Sequence, residues 1–79
     1  MMNLEIITPE KQIFSGEVTS VKLPGKTGEF EILNNHAPII STLSEGEIRV
    51  ITSNNNTEKF SINSGVIEMQ NNKIIVLAE

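Results

Sequence analysis

Seventy-nine residues can build one domain at most, and a chain of that size removes only about 60% of its unfolded surface from water, so part of its stability is expected to come from a partner. With 38% hydrophobic residues and a formal net charge of −4, the composition excludes a disordered segment. The basic residues Lys11, Lys22, Lys26, Arg49, Lys59 and Lys73 are scattered without a run, which excludes the clustered cations that nucleic acid requires, and the lack of cysteine excludes disulfides and thiolate ligands and suits a reducing compartment.

The N-terminus, Met1-Met2-Asn3-Leu4-Glu5, has no basic region followed by an apolar block, so no signal peptide is expected. Turn signals then recur at short intervals: Thr8-Pro9, Ser15-Gly16, Pro24-Gly25 through Gly28, Asn34-Asn35, Glu45-Gly46, Asn54-Asn55-Asn56, Ser64-Gly65 and Asn71-Asn72. The stretches between them are rich in Ile, Val, Phe and Thr and mostly too short for helices, which predicts an all-β sandwich or barrel. From Gly16 to Leu23 the apolar parity shifts between Val18 and Val21, as expected of a bulge or of a corner where a strand passes from one sheet to another. Phe30 and Ile32 alternate with Glu29 and Glu31. Ile48 and Val50 flank Arg49, Phe60 and Ile62 alternate with Lys59 and Ser61, and Ile67 and Met69 alternate with Glu68 and Gln70. Each of these strands is expected to bury one face.

Two hairpins are predicted, one pairing residues 48–52 with 57–63 and one pairing 66–70 with 73–78 through Asn71-Asn72, since asparagine tolerates the left-handed backbone of tight turns. In Ile74-Ile75-Val76-Leu77-Ala78 both parities are apolar, so that strand is covered on both faces or meets another protein. It is also the longest apolar run and falls well short of the roughly 20 residues a membrane helix needs, which predicts a soluble chain, free to sit on a membrane complex.

Catalytic patterns are not assembled. One histidine, no aspartate and no cysteine leave a Ser-His-Asp type site without its parts, and no G-x-S-x-G elbow is present. A single histidine is too few for a zinc or transition-metal site. Glu29 and Glu31 share a strand face and could imitate a glycosidase pair, whose carboxyls stand about 5–9.5 Å apart, but solvated glutamates on an edge-exposed strand explain them as well, and the same holds for Glu45 and Glu47. Gly25-Lys26-Thr27-Gly28 lacks the first glycine of a phosphate loop and leads into a strand. No catalytic, metal or cofactor residue is therefore assigned.

The stretch Gly28-Glu29-Phe30-Glu31-Ile32-Leu33-Asn34-Asn35-His36-Ala37-Pro38 resembles the signature of the epsilon subunit of F-type ATP synthases, the subunit called delta in mitochondria. Leu4 to Gly25, with its Phe14-Ser15-Gly16, resembles the opening strands of that family. Leu43 to Val50 resembles its Gly-x-Ile turn and strand, and Ser64 to Glu79 its last hairpin. Two departures stand out: Glu31 occupies a position that is usually glycine, and Asn34-Asn35 a usual Pro-Gly.

The resemblance implies an all-β, two-sheet sandwich of about ten short strands with no substantial helix, spanning residues 1–79 as a single domain. It implies a non-catalytic rotor subunit without a cofactor. Such a subunit docks the gamma subunit to the membrane c-ring in the central stalk, couples rotation to ATP synthesis, and lies peripherally at the cytoplasmic face of the bacterial inner membrane. Glu29 and His36 match positions facing the ring, and Thr8, Ile40 and Ser41 match positions facing gamma. Many relatives carry a C-terminal helical pair that can inhibit hydrolysis and in some binds ATP; the chain stops at Glu79, so neither feature is expected here. Two rival readings remain: an autonomous sandwich that captures a sugar or peptide, which the lack of Trp and Tyr disfavours, and a minimal hydrolase built on Glu29 and Glu31.

Overall fold

In the computed structural model, which describes residues 1–79, the apolar alternation is resolved into eight strands: β1 (Met2–Ile7), β2 (Gln12–Gly25), β3 (Gly28–Leu33), β4 (Ile39–Leu43), β5 (Gly46–Thr52), β6 (Thr57–Ile62), β7 (Gly65–Gln70) and β8 (Lys73–Ala78). No helix is long and apolar enough to cross a membrane. Eight strands replace the expected ten or so because β2 runs for 14 residues, straight through the Ser15-Gly16 pair that reads as a turn. Gly16 stays in register opposite Leu4, and the Phe14 ring lies over it, 3.6 Å from where a β-carbon would stand.

Two layers result, and β2 belongs to both. Its first half pairs antiparallel with β1, which pairs in parallel with β8, and β7 and β4 follow. Its second half lies between β3 and β5, and β6 completes that layer. Val18 is the corner, opposite Met2 in one layer and Thr52 in the other. The register shift between Val18 and Ser20 is the parity break expected from the sequence: one extra residue bends and twists the strand and returns Val21 and Leu23 to the core. At the far end of β2 a single pairing, Gly25 with Leu43, links the layers again.

Between the layers lie 16 buried apolar residues, among them Met2, Leu4, Ile6, Leu23, Ile32, Ile48, Ile67 and Ile74. Phe14 and Phe60 close one open side of this core edge to face, with ring centroids 5.7 Å apart. The predicted hairpins form: Ile51 pairs with Thr57 and Gln70 with Lys73. Every non-glycine residue with positive φ is an asparagine: Asn35, Asn55, Asn71 and Asn72. Asn71 (φ 53°) and Asn72 (φ 59°) together give the two-residue turn whose twist matches that of paired strands.

Candidate docking site

Of the five exposed large apolar side chains, three, Ile40, Val66 and Leu77, lie on the outer face of the β4-β7-β8-β1 layer, while Leu33 ends β3 and Met1 precedes β1. Register places the residues of that face in rows across the sheet. Thr42, Val66, Leu77 and Ile7 form one row, and Ile40, Glu68, Ile75 and Glu5 form the next. Ile40 is 74% exposed, Leu77 55% and Val66 44%. Residues of this size are ordinarily turned inward, and a contiguous exposed group of them marks a contact surface. At the end of the first row a cavity of ≈ 520 Å³ opens beside Ile7, Thr8, Pro9, Val66, Leu77 and Glu79.

Thr8 therefore lines this groove. Its hydroxyl donates to the Lys11 carbonyl (3.0 Å) and accepts from the Lys11 N–H (3.3 Å), fixing the turn between β1 and β2. Ile40 stands at the opposite edge of the same face. Its neighbour Ile39 packs against the core, so the adjacent isoleucines divide between inside and outside as their parity demands. Ser41 sits opposite the buried Ile67, on the inward parity, and the outward residue beside Ile40 is Thr42. Val66 and Leu77 are contact candidates that the structure adds. Their signal is the doubled parity of Val66-Ile67 and of Ile74 to Ala78, in which one residue of each adjacent pair must point away from the core.

The outer face of the other layer, apart from the exposed Leu33 at the end of β3, is largely polar and internally paired. Glu31, Lys22, Arg49 and Lys59 form a row across β3, β2, β5 and β6, so the fold gathers cations that are scattered in the sequence. Lys22 Nζ lies 3.3 Å from Glu29 Oε1. Arg49 Nη2 donates to Glu31 Oε2 at 2.7 Å and to the buried Ser20 Oγ at 3.1 Å, and the Ser20 hydroxyl donates to the same Glu31 oxygen. The Ser20 hydroxyl, then the Arg49 guanidinium, hold the Glu31 carboxyl below its ordinary value, because both bonds favour the charged form. Glu29 and Glu31 do share one face of an edge strand, as expected, but each has a cationic partner instead of being free in solvent.

His36 occupies the connection between β3 and β4. Its backbone N–H donates to the Leu33 carbonyl at 3.1 Å, and its ring Nδ1 lies 2.7 Å from the Ala37 carbonyl. A carbonyl only accepts, so Nδ1 donates this bond. The loop is tied to the β7–β8 turn: Asn35 N–H donates to Asn72 Oδ1 (2.9 Å), and Asn72 Nδ2 donates to Asn35 Oδ1 (3.1 Å). The structure does not bring Glu29 and His36 together. Glu29 sits opposite Pro24 near the start of β3, whereas His36 follows its end, more than about 13 Å further along the strand direction. His36 instead lies beside Pro38 and the Asn71-Asn72 turn. No three carboxylate or imidazole groups converge as a metal site would need.

The family profile described as "ATP synthase, Delta/Epsilon chain, beta-sandwich domain" matches residues 1–79. The chain is 45% identical over 76 residues to an ATP synthase epsilon chain of Chlorobium limicola, an alignment covering 96% of this chain and 86% of the relative. It is 44% identical over 78 residues to an ATP synthase epsilon chain of Campylobacter curvus, covering 99% of this chain and 60% of the relative. Among solved structures it superposes on a chain of the Euglena gracilis mitochondrial ATP synthase OSCP/F1/c-ring assembly with a TM-score of 0.91 at 16% identity, covering 98% of this chain and 49% of that one. A chain of the Tetrahymena thermophila mitochondrial ATP synthase central stalk and c-ring gives 0.81 at 17% identity, covering 98% and 62%. At such identities the structural likeness speaks for the fold. The chain thus spans most of the Chlorobium relative but about half to three fifths of the others.

Proposed function

The chain belongs to the delta/epsilon chain β-sandwich family of ATP synthases, and on that premise we propose that it is a rotor subunit of the central stalk, docking the gamma subunit to the membrane c-ring so that rotation is coupled to ATP synthesis. The chain contributes shape and adhesion and makes or breaks no bond. It uses no cofactor, acts as one domain over residues 1–79, and lies peripherally at the cytoplasmic face of the membrane as part of the complex. The observation that carries this reading is the uncovered apolar face of the β4-β7-β8-β1 layer, with Thr8 and Ile40 at its two edges, in a chain of this family. Gamma docks on that face. A close-packed sandwich resists deformation under load, which suits a part that transmits force without turning over a substrate.

The ring meets the other side of the wedge, at the Glu29 end of β3. His36, at the opposite end of that strand, is a second contact point. Ser41 supports the gamma face from behind, opposite Ile67, while Ile40 makes the contact.

The test is co-purification: the chain, tagged and expressed in its cells of origin, is captured and its partners are identified. Recovery of gamma together with ring subunits supports the reading. Recovery of neither, with saturable binding of a sugar or free peptide instead, would replace it with the autonomous module.

A further inference from the structure

The rows on the gamma-facing surface are chemically different, and the difference describes what fits them. The row holding Thr42, Val66, Leu77 and Ile7 has no charge and borders the groove. The row holding Ile40, Glu68, Ile75 and Glu5 alternates apolar and acidic across the four strands. Rows on one face of a strand lie about 6.6–7 Å apart, and Glu68 and Glu5, two strands from each other, about 9–10 Å apart with Ile75 between them. Neither carboxylate has a cation within ion-pair distance, because both ion pairs of the chain lie on the other layer. Glu79 adds a third acid at the groove. Lys73, one row beyond Ile75, and Lys11, in the turn after Thr8, are the cations bordering this face.

We propose that this face is built for a partner segment that is apolar and cationic at once. Its apolar side chain enters the groove against Ile7, Val66 and Leu77, and its Lys or Arg, one row away, bridges to Glu68 and on toward Glu5. The inference rests on the reading that gamma docks here and names the chemistry of the segment that does so. Burying uncovered apolar surface supplies attraction without direction. The flanking carboxylates fix register and orientation, because a partner displaced by one row sets its cation over Leu77 and leaves the acids unpaired.

Binding of purified gamma to the intact chain is measured at low and at high salt for the parent, Glu68→Lys, Leu77→Thr and Lys59→Glu. All three positions are exposed, and the thermal midpoint of each variant is recorded first to establish that it folds. Glu68→Lys is expected to weaken binding by about tenfold or more at low salt, by replacing an attraction with a repulsion, and to flatten the salt dependence. Leu77→Thr should weaken binding equally at both salts, while Lys59→Glu, on the opposite layer, leaves it unchanged. If gamma binds but Glu68→Lys keeps the affinity and salt dependence of the parent, the cationic segment is disproved while the rotor reading stands. If gamma fails to bind the parent chain, the rotor reading falls and this inference falls with it.

Discussion

Both ends of the Asn72 side-chain amide engage Asn35, Oδ1 accepting from its backbone N–H and Nδ2 donating to its Oδ1, and so join loops 37 residues apart in sequence. Asn72 also accepts from the Asn3 N–H at 2.9 Å through its own carbonyl. One turn residue thereby holds the edge of β1, the β7–β8 hairpin and the loop carrying His36.

Asn72→Gly keeps the left-handed backbone and removes both bonds of the clasp, so it is expected to cost about 1–3 kcal/mol, the net worth of two typical intramolecular hydrogen bonds. Asn72→Ala should cost about 1–2 kcal/mol more, through the β-carbon clash at positive φ. Urea unfolding midpoints in the order parent, Gly, Ala check this; equal midpoints for the two variants would show that φ at this position carries no strain.

Glu31 gives a pH signature. Its folded carboxyl titrates below its ordinary value, so its contribution to stability is complete above the unfolded value of about 4.3 and is lost as pH falls through the folded one. Glu31→Gln should therefore be less stable than the parent near neutrality and should converge with it in strong acid. Unfolding curves from pH 7 to pH 2 measure the difference. A gap that stays constant over that range would mean that the Ser20 and Arg49 bonds do not favour the ionised form.

Gly25 allows a close approach that no side chain survives. A β-carbon there would lie 2.7 Å from the Gly28 carbonyl oxygen and 2.8 Å from the Phe30 ring. Gly25→Ala should destabilise by about 1–3 kcal/mol, as overpacking does, and lower Tm by about 4–8 °C for each kcal/mol in a domain of this size.

The neighbours Ile39 and Ile40 should behave oppositely. Ile40→Thr is expected to leave stability within about 0.5 kcal/mol, as exposed substitutions do, and to weaken gamma binding. Ile39→Thr removes apolar surface packed on the core and should cost about 1–2 kcal/mol. Calorimetry and a gamma pull-down on the same samples separate the two effects.

Ring docking offers a comparison between the ends of β3. Glu29→Lys should reduce coupling in a reconstituted rotor, and His36→Ala should leave the fold intact and weaken ring docking modestly. A normal rotor carrying Glu29→Lys would leave that carboxylate with its Lys22 ion pair as its whole role.

Much of the fold is legible in the order of residues because it depends on short-range signals. Asn71-Asn72 dictates a hairpin locally, and the parity break after Val18 announces the corner where β2 changes layers. Ser15-Gly16 misleads for an equally physical reason: it has the composition of a turn, yet Phe14 covers the glycine and the pairing with Leu4 continues. The site is less legible. Glu31, Ser20 and Arg49 converge from three strands, and nothing within 11 residues of Glu31 reveals Arg49 as its partner. The contact face could be half read. Ile39-Ile40 is visible as a divided pair, whereas the alignment of Val66 and Leu77 beside Ile7 exists only once three strands are in register.

The shared strand β2 has a mechanical consequence. A push received on one layer and resisted on the other crosses between them along an unbroken covalent backbone, through the bend at Val18, instead of through side-chain packing alone. The hydrogen bonds flanking that bend run across the strand, so a pull along β2 loads them together in shear and not one after another as in unzipping. Sliding one layer over its neighbour would require many of them to yield at once.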